Sequence, residues 1–326
     1  MKLSVLDQSV ISKNWNAGIT LQNTIKLAKR TEELGYTRFW VAEHHNSNGI
    51  AGTSPEILIS SIAAQTNRIR VGSGGVLLPQ YSPFKIAEDF KVLEALYPNR
   101  IDLGMGRSPG GSTPTRLALT DGIRKSLNEF PRQVTALQEY IVNIPSDNEV
   151  QAYPFINTRP ELWMLGVSQR GARLAAEKGT AFTYGHFINP FSGSIAMKHY
   201  RESFQPSNFL ANPKANVCVF VVCAPTLVEA EERALSQDLW LLAVEKGEDT
   251  FILPKEEAKK IELSEEDQEI IRKNRKRAII GTPEKVKEQL LQLSEYYQTE
   301  EFMIITNIYD FEEKMQSYTL LAEAIL

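Results

Sequence analysis

Two cysteines and four histidines in 326 residues leave little material for a disulfide framework or a soft-ligand metal centre. Cys218 and Cys223 lie five apart on one strand-like run, so their side chains diverge; they read as small core hydrophobes in a reducing compartment. Acidic residues outnumber basic ones, 40 to 36, and a formal charge of −4 gives no electrostatic footprint for nucleic acid or an anionic membrane. No apolar stretch approaches the length that spans a bilayer. The opening Met1-Lys2-Leu3-Ser4-Val5-Leu6-Asp7 turns polar too early for a signal peptide, so the expectation is a cytoplasmic, soluble protein. The remaining composition, 42% hydrophobic and 23% charged, is that of an ordinary globular chain.

What is present is an alternation of short β-type runs with amphipathic helices along nearly the whole length. Strand-like runs fall at Leu3–Leu6, Phe39–Ala42, Ile69–Leu78, Ile101–Met105, Leu162–Leu165, Ala181–Tyr184, Val217–Val222 and Phe302–Thr306. Helical spacing follows at Leu21–Leu34, from Ser54-Pro55-Glu56 onward, at Pro83–Leu96, from about Arg116 to Val142, at Ser168–Lys178, Ser192–Phe204 and Leu227–Val244, and from Phe311. Roughly eight β–α units predict a (β/α)8 TIM barrel, one domain over 1–326, with a doubly wound open sheet as the rival. Residues 246–277 break the alternation. They are densely charged and read either as a solvated helical insertion or as a mobile lid over the barrel mouth. Gly281-Thr282-Pro283-Glu284 then opens a fresh helix.

Chemistry gathers where strands end. Glu43-His44-His45 closes a strand and precedes a polar loop; neighbouring strand residues face opposite ways, so one ring of the two is expected to enter a site. That ring reads as a general acid or base, with structural histidines as the bland alternative. No further cluster of His, Asp and Cys supplies the ligands a metal needs. Gly72-Ser73-Gly74-Gly75 places glycines in a strand, which suits either close approach of a flat ring or a barrel bend. Gly104-Met105-Gly106-Arg107-Ser108-Pro109-Gly110-Gly111 fails as a dinucleotide fingerprint because Pro109 intrudes and a third glycine is missing. Arg107 reads instead as a cation reaching toward an anionic ligand. Gly166-Val167-Ser168-Gln169-Arg170-Gly171 joins a strand to a helix start, where free amides, the helix dipole and the Ser168 hydroxyl favour phosphate. Trp15, Tyr81, Trp163, Tyr184 and His186 fall near strand ends and are candidates to line a pocket or to fill the core.

Taken together, Glu43-His44-His45, Val71 to Pro79, Arg100 to Arg107 and Gly281-Thr282-Pro283-Glu284 resemble the bacterial luciferase-like flavin monooxygenases over essentially the whole chain. The resemblance implies a TIM barrel binding reduced FMN at the carboxyl ends of its strands, with the flavin against a non-prolyl cis peptide at Gly74-Gly75. It implies Arg107 and the Ser168 turn, with Gly171, as the phosphate site, a small residue near the flavin edge at Gly106, and His44 as the acid/base residue. It implies a monooxygenase that forms a flavin hydroperoxide from dioxygen, takes reduced FMN from a separate flavin reductase, oxidises a small organic substrate and forms a homodimer. Gly171 and Val167 depart from the family, whose members often carry hydroxyls there, so the phosphate has fewer side-chain donors. A deazaflavin-dependent oxidoreductase and a non-catalytic flavin-binding protein are the alternatives.

Overall fold

The computed structural model describes residues 1–108, 110–142 and 150–326. Pro109, which argued against a dinucleotide loop, lies outside them. The first half of the chain runs β1 (Lys2–Asp7), α1 (Ala17–Glu33), β2 (Arg38–Val41), α2 (Pro55–Ala63), β3 (Arg70–Ser73), α3 (Pro83–Leu96), β4 (Ile101–Gly106), α4 (Thr113–Leu119) and α5 (Phe130–Val142). The second half runs β5 (Glu161–Gly166), α6 (Gln169–Glu177), β6 (Ala181–Gly185), α7 (Gly193–Glu202), β7 (Ala215–Cys223) and α8 (Leu227–Lys246). It continues through α9 (Lys255–Ala258), α10 (Glu265–Arg275), β8 (Ala278–Gly281), α11 (Pro283–Tyr297), β9 (Glu301–Ile305) and α12 (Phe311–Ile325).

All strand pairs are parallel, and the sheet closes because β7 pairs with both β6 and β9 while β9 pairs with β1. Closure removes the open doubly wound sheet and leaves a TIM barrel. Its staves are β1 to β7 and β9, the same eight runs that stand out in the sequence. The short β8 was missed there. Its Ala278-Ile279-Ile280-Gly281 follows directly on the charged run and pairs only with the far half of β7, outside the ring.

Two expected boundaries shift for identifiable reasons. The third strand stops at Ser73 instead of Leu78, because the chain leaves the sheet through a cis Gly74–Gly75 peptide; Val76 then bridges to Met105. The long helix expected to Val142 is two, α4 and α5, separated where Asp121 and Gly122 take left-handed φ of 50° and 77°. Ser54 takes the expected cap position of α2, but its side chain makes no capping bond. In the 246–277 segment, α10 starts with a Ser264/Asp267 capping box and docks on α8 through Arg275, which grips Asp238 at 2.7 Å.

Residues facing the helices form the main core, while Leu6, Trp40, Trp163, Cys218, Phe220, Met303 and Ile305 fill the barrel interior. On β7, Cys218 belongs to the interior and Cys223 to the outer core, both as free thiols. The floor of the barrel is ionic. Arg38, 2% exposed, reaches Glu301 at 2.6 Å, Asp102 at 2.8 Å and Glu161 at 3.3 Å, and its guanidinium lies 4.6 Å from the Trp163 ring centroid. Arg70 holds the other Asp102 oxygen at 2.6 Å. No helix is long and apolar enough to cross a membrane among the described residues.

Candidate active site

Loops that follow the carboxyl ends of the strands surround a cavity of about 840 Å³, a volume suited to a cofactor and a small ligand. His44, Gly74, Gly75, Gly106, Arg107, Ser168 and Gly171 all line it. Residues that are 127 positions apart in the chain thus share one wall system, because consecutive parallel strands bring their ends to one face.

Both adjacent imidazoles border the cavity, contrary to the expectation that only one would. The reason is that β2 ends at Val41, so His44 and His45 lie on loop backbone where strand alternation no longer applies. Glu43, which precedes them, is 5% exposed. Its carboxylate accepts from the Leu77 amide at 2.8 Å, from His45 Nε2 at 2.7 Å and from the Tyr81 hydroxyl. One buried acid therefore ties the histidine loop to the segment just past the cis peptide. The His44 ring places Nδ1 2.9 Å from the Glu43 carbonyl oxygen and Nε2 3.4 Å from the Gln8 side-chain amide. Burial, with His45 beside it, pushes His44 down to about 4, so the ring is neutral near pH 7.

The glycines answer mainly to neighbouring protein. A Cβ at Gly74 would come within 2.5 Å of Leu6, and one at Gly75 within 2.7 Å of the Gly104 carbonyl. A Cβ at Gly104 would lie 2.0 Å from the Ser73 carbonyl oxygen. Close packing of β3 on β4 therefore demands glycine, and Gly74 and Gly75 also leave a side-chain-free wall on the cavity. Gly106 is different: its Cβ would have nothing nearer than 3.9 Å.

At the opposite side, Ser168 is the N-cap residue of α6, yet its hydroxyl makes no capping bond and is exposed. The first-turn amides of α6, that hydroxyl and the lining guanidinium groups of Arg107, Arg170 and Arg173 make an anion-favouring end. Arg170 and Arg173 were not singled out in the sequence, although their i,i+3 spacing from a helix start puts them on one face. Arg173 also pairs with Glu177 at 3.5 Å. Arg107 spends Nε on the Leu127 carbonyl at 3.1 Å and a terminal nitrogen on Asn128 at 3.2 Å, which braces it at the rim.

None of Trp15, Tyr81, Trp163, Tyr184 and His186 lines this cavity. Trp163 lies below it over Arg38, Tyr184 packs on Tyr297, and His186 bonds the Tyr297 hydroxyl at 2.7 Å. Trp163 and Tyr184 are buried in the fold, whereas Trp15 lines a separate small cavity beside Tyr309, Tyr81 is half-buried against Glu43, and the aromatics that do line the large cavity are Phe130 and Phe187. Among the described residues no group of three or more His, Cys, Asp or Glu is placed to hold a metal ion.

A family model described as luciferase-like monooxygenase matches residues 1–299. The chain belongs to that family. Membership makes it a flavin-dependent monooxygenase. The protein YceB of Bacillus subtilis (strain 168) is 55% identical over 328 residues, covering 99% of each chain. The N-acetyl-S-alkylcysteine monooxygenase of the same organism is 37% identical, covering 100% of this chain and 98% of its own. The crystal structure of apo-MsnO8 superposes with a TM-score of 0.92 at 37% identity, covering 99% of this chain and 98% of that one. The volume and lining of the cavity are compatible with a flavin-type cofactor. Apolar Leu6, Leu77, Met164, Leu165 and Met303 and the glycine wall suit a flat ring, and the arginine-rich α6 end suits a phosphate.

Proposed function

We propose that the protein binds reduced FMN in this cavity and uses it to oxidise a small organic molecule with dioxygen. When bound, the flavin supplies the reducing equivalents and the activation of dioxygen. The observation that carries the reading is the convergence of His44, the Gly74-Gly75 wall, Gly106, Arg107, Ser168 and Gly171 on one cavity of flavin size. Ser168, Arg107, Arg170 and Arg173 hold the phosphate, with Gly171 leaving room for it beside the helix start. Gly74, Gly75 and Gly106 give clearance to the ring. His44 manages a proton at the reacting edge, and the apolar lining excludes water from it.

The reading extends to the surroundings of the site. The absence of a nicotinamide fingerprint in the sequence supports a separate flavin reductase as the source of reduced cofactor. Two free buried thiols support a cytoplasmic setting. Exposed Ile57 on α2 and Val92 and Leu96 on α3, two helices that pack together, support a homodimer. We read the chain as one barrel domain in which the 246–277 insertion covers the mouth by its first residues. Thr250 lines the cavity and bonds Ser47, while Ile252 bridges to Ser12. Likeness to an N-acetyl-S-alkylcysteine monooxygenase makes alkyl thioethers the first substrates to try.

The test couples purified protein to a flavin reductase, NADH and oxygen, with a thioether panel read by mass spectrometry for a gain of one oxygen. Anaerobic titration with reduced FMN and with a reduced deazaflavin accompanies it. Product formation with FMN that His44→Ala suppresses supports the proposal. Marked preference for the deazaflavin, or turnover indifferent to His44→Ala, overturns the cofactor or the residue assignment respectively.

A further inference from the structure

We infer that Gln8 and Asn307 are positioning residues that hold His44 with its proton on Nδ1 and its lone pair on Nε2, which makes Nε2, behind its long 3.4 Å contact with Gln8, the one nitrogen on which the ring can take a proton. This rests on the reading of His44 as the proton-handling group.

The Glu43 carbonyl oxygen, 2.9 Å from Nδ1, can only accept a hydrogen bond. Nδ1 therefore carries hydrogen. A neutral imidazole has one N–H, so Nε2 bears the lone pair. The atom that faces Nε2 at 3.4 Å must then be a donor, which orients the Gln8 amide with its NH2 toward the ring. Gln8 Oε1 is thereby turned toward Asn307, whose Nδ2 donates to it at 2.7 Å. Asn307 is itself held, since its backbone amide donates to Gln237 Oε1 at 3.3 Å. Asn307 and Gln237 are each 1% exposed, so water has little room to substitute for them, while Gln8, 6% exposed, borders the cavity. Reversing either amide would set two donors or two acceptors face to face in a buried place, which is disfavoured.

Other groups near the ring do not compete for this role. The Glu43 carboxylate is spent on Leu77, His45 and Tyr81. His45, the other titratable neighbour, disfavours a positive charge on His44. The polarity of the chain Glu43 carbonyl, His44, Gln8, Asn307 is thus set from the Glu43 end, while Asn307 is anchored through its backbone. Asn307 comes from the loop after β9 and Gln8 from the loop after β1, two adjacent staves of the closed ring.

The experiment is long-range proton–nitrogen NMR on the full-length, uniformly 15N-labelled protein without flavin, across pH 3.5 to 8. Four histidines make assignment tractable, with His44→Gln identifying the signal. The wild type is expected to show a protonated Nδ1 and an unprotonated Nε2 at pH 7. Asn307→Asp replaces a donor by an acceptor, turns the Gln8 amide over and presents its oxygen to Nε2. With acceptors then facing both ring nitrogens, Nε2 should gain a proton alongside Nδ1, so the doubly protonated ring is favoured and its titration midpoint should rise by at least about one pH unit. Gln8→Glu should raise the midpoint similarly, and supplies a second route should Asn307→Asp fail to fold, as judged by near-ultraviolet circular dichroism. A wild-type ring protonated on Nε2, or no change of pattern and midpoint in the folded variants, would overturn the inference. Because flavin is absent, neither result depends on whether the cofactor assignment is right.

Discussion

Replacing Arg38 by methionine tests whether the ionic floor of the barrel is held together by that one cation. Methionine keeps much of the buried volume, so the loss is mainly electrostatic. Asp102 would retain Arg70 at 2.6 Å and the Trp40 indole at 2.9 Å. Glu301 would be left with the Ser4 hydroxyl at 3.2 Å and the Asn216 amide at 3.3 Å, neutral partners for a carboxylate that is 6% exposed. Stranding one buried charge in this way costs about 3–5 kcal/mol, a large part of the roughly 5–15 kcal/mol that holds a domain together. Urea unfolding at pH 7 should show a much lower midpoint with little change of slope. Adding Glu301→Gln to Arg38→Met removes the stranded charge and should return most of the loss. Acid adds a second signature. Burial pushes Asp102 up, but Arg38 and Arg70 outweigh it and hold the carboxyl below its ordinary value. A depressed folded-state value stabilises above the unfolded value of about 4 and is lost as pH falls through the folded one. Without Arg38 the gap narrows, so the Asp102 contribution should be smaller and its loss on acidification complete at a higher pH. A loss under about 1 kcal/mol for Arg38→Met, or no recovery in the double variant, would refute the electrostatic account.

Burial depresses both His44 and His186 to about 4. The unfolded chain takes up those protons first, near 6.5, so their contribution is complete above that pH and fades toward 4, by at most about 3 kcal/mol each. Unfolding midpoints at pH 7.5 and 4.5 should differ accordingly, and His186→Phe should reduce the difference; equal slopes in both proteins would contradict the assignment. Gly104→Ala sets a methyl 2.0 Å from the Ser73 carbonyl oxygen and should cost about 3 kcal/mol or more, whereas Gly106→Ala, with 3.9 Å of clearance, should leave thermal unfolding nearly unchanged. Arg170→Ala with Arg173→Ala should weaken reduced FMN binding about tenfold to a hundredfold while leaving phosphate-free reduced riboflavin unaffected; equal loss for both flavins would remove the phosphate from that end.

Much of the barrel was legible because its signal is local. Each of the eight staves is a short apolar run beside a periodic helix, and parallel strands buried on both faces read as continuous hydrophobic sequence. The closing pairings β1 with β9 and β7 with β9 are long-range and leave no local mark. Where the reading slipped, a few residues decided. Gly74 and Gly75 ended a strand whose hydrophobicity ran on to Leu78, and Asp121-Gly122 divided a region of uniform helical composition. Four apolar residues after a six-residue polar run were too few to mark β8.

The site divides along the same line. Residues that lie just after a strand, His44, Arg107 and Ser168, could be picked out one by one, because a barrel delivers every such position to the same mouth. What fixes their chemistry could not. The orientation of His44 depends on Gln8, 36 residues earlier, and through it on Asn307, 299 residues later than Gln8. An amide carries no charge and no periodicity, so nothing in the letters marks either one. Their meaning exists only after the ring of strands has closed and set the first stave beside the last. A substitution that left every recognisable motif intact, Asn307→Asp, is therefore expected to alter the protonation of a residue it does not touch.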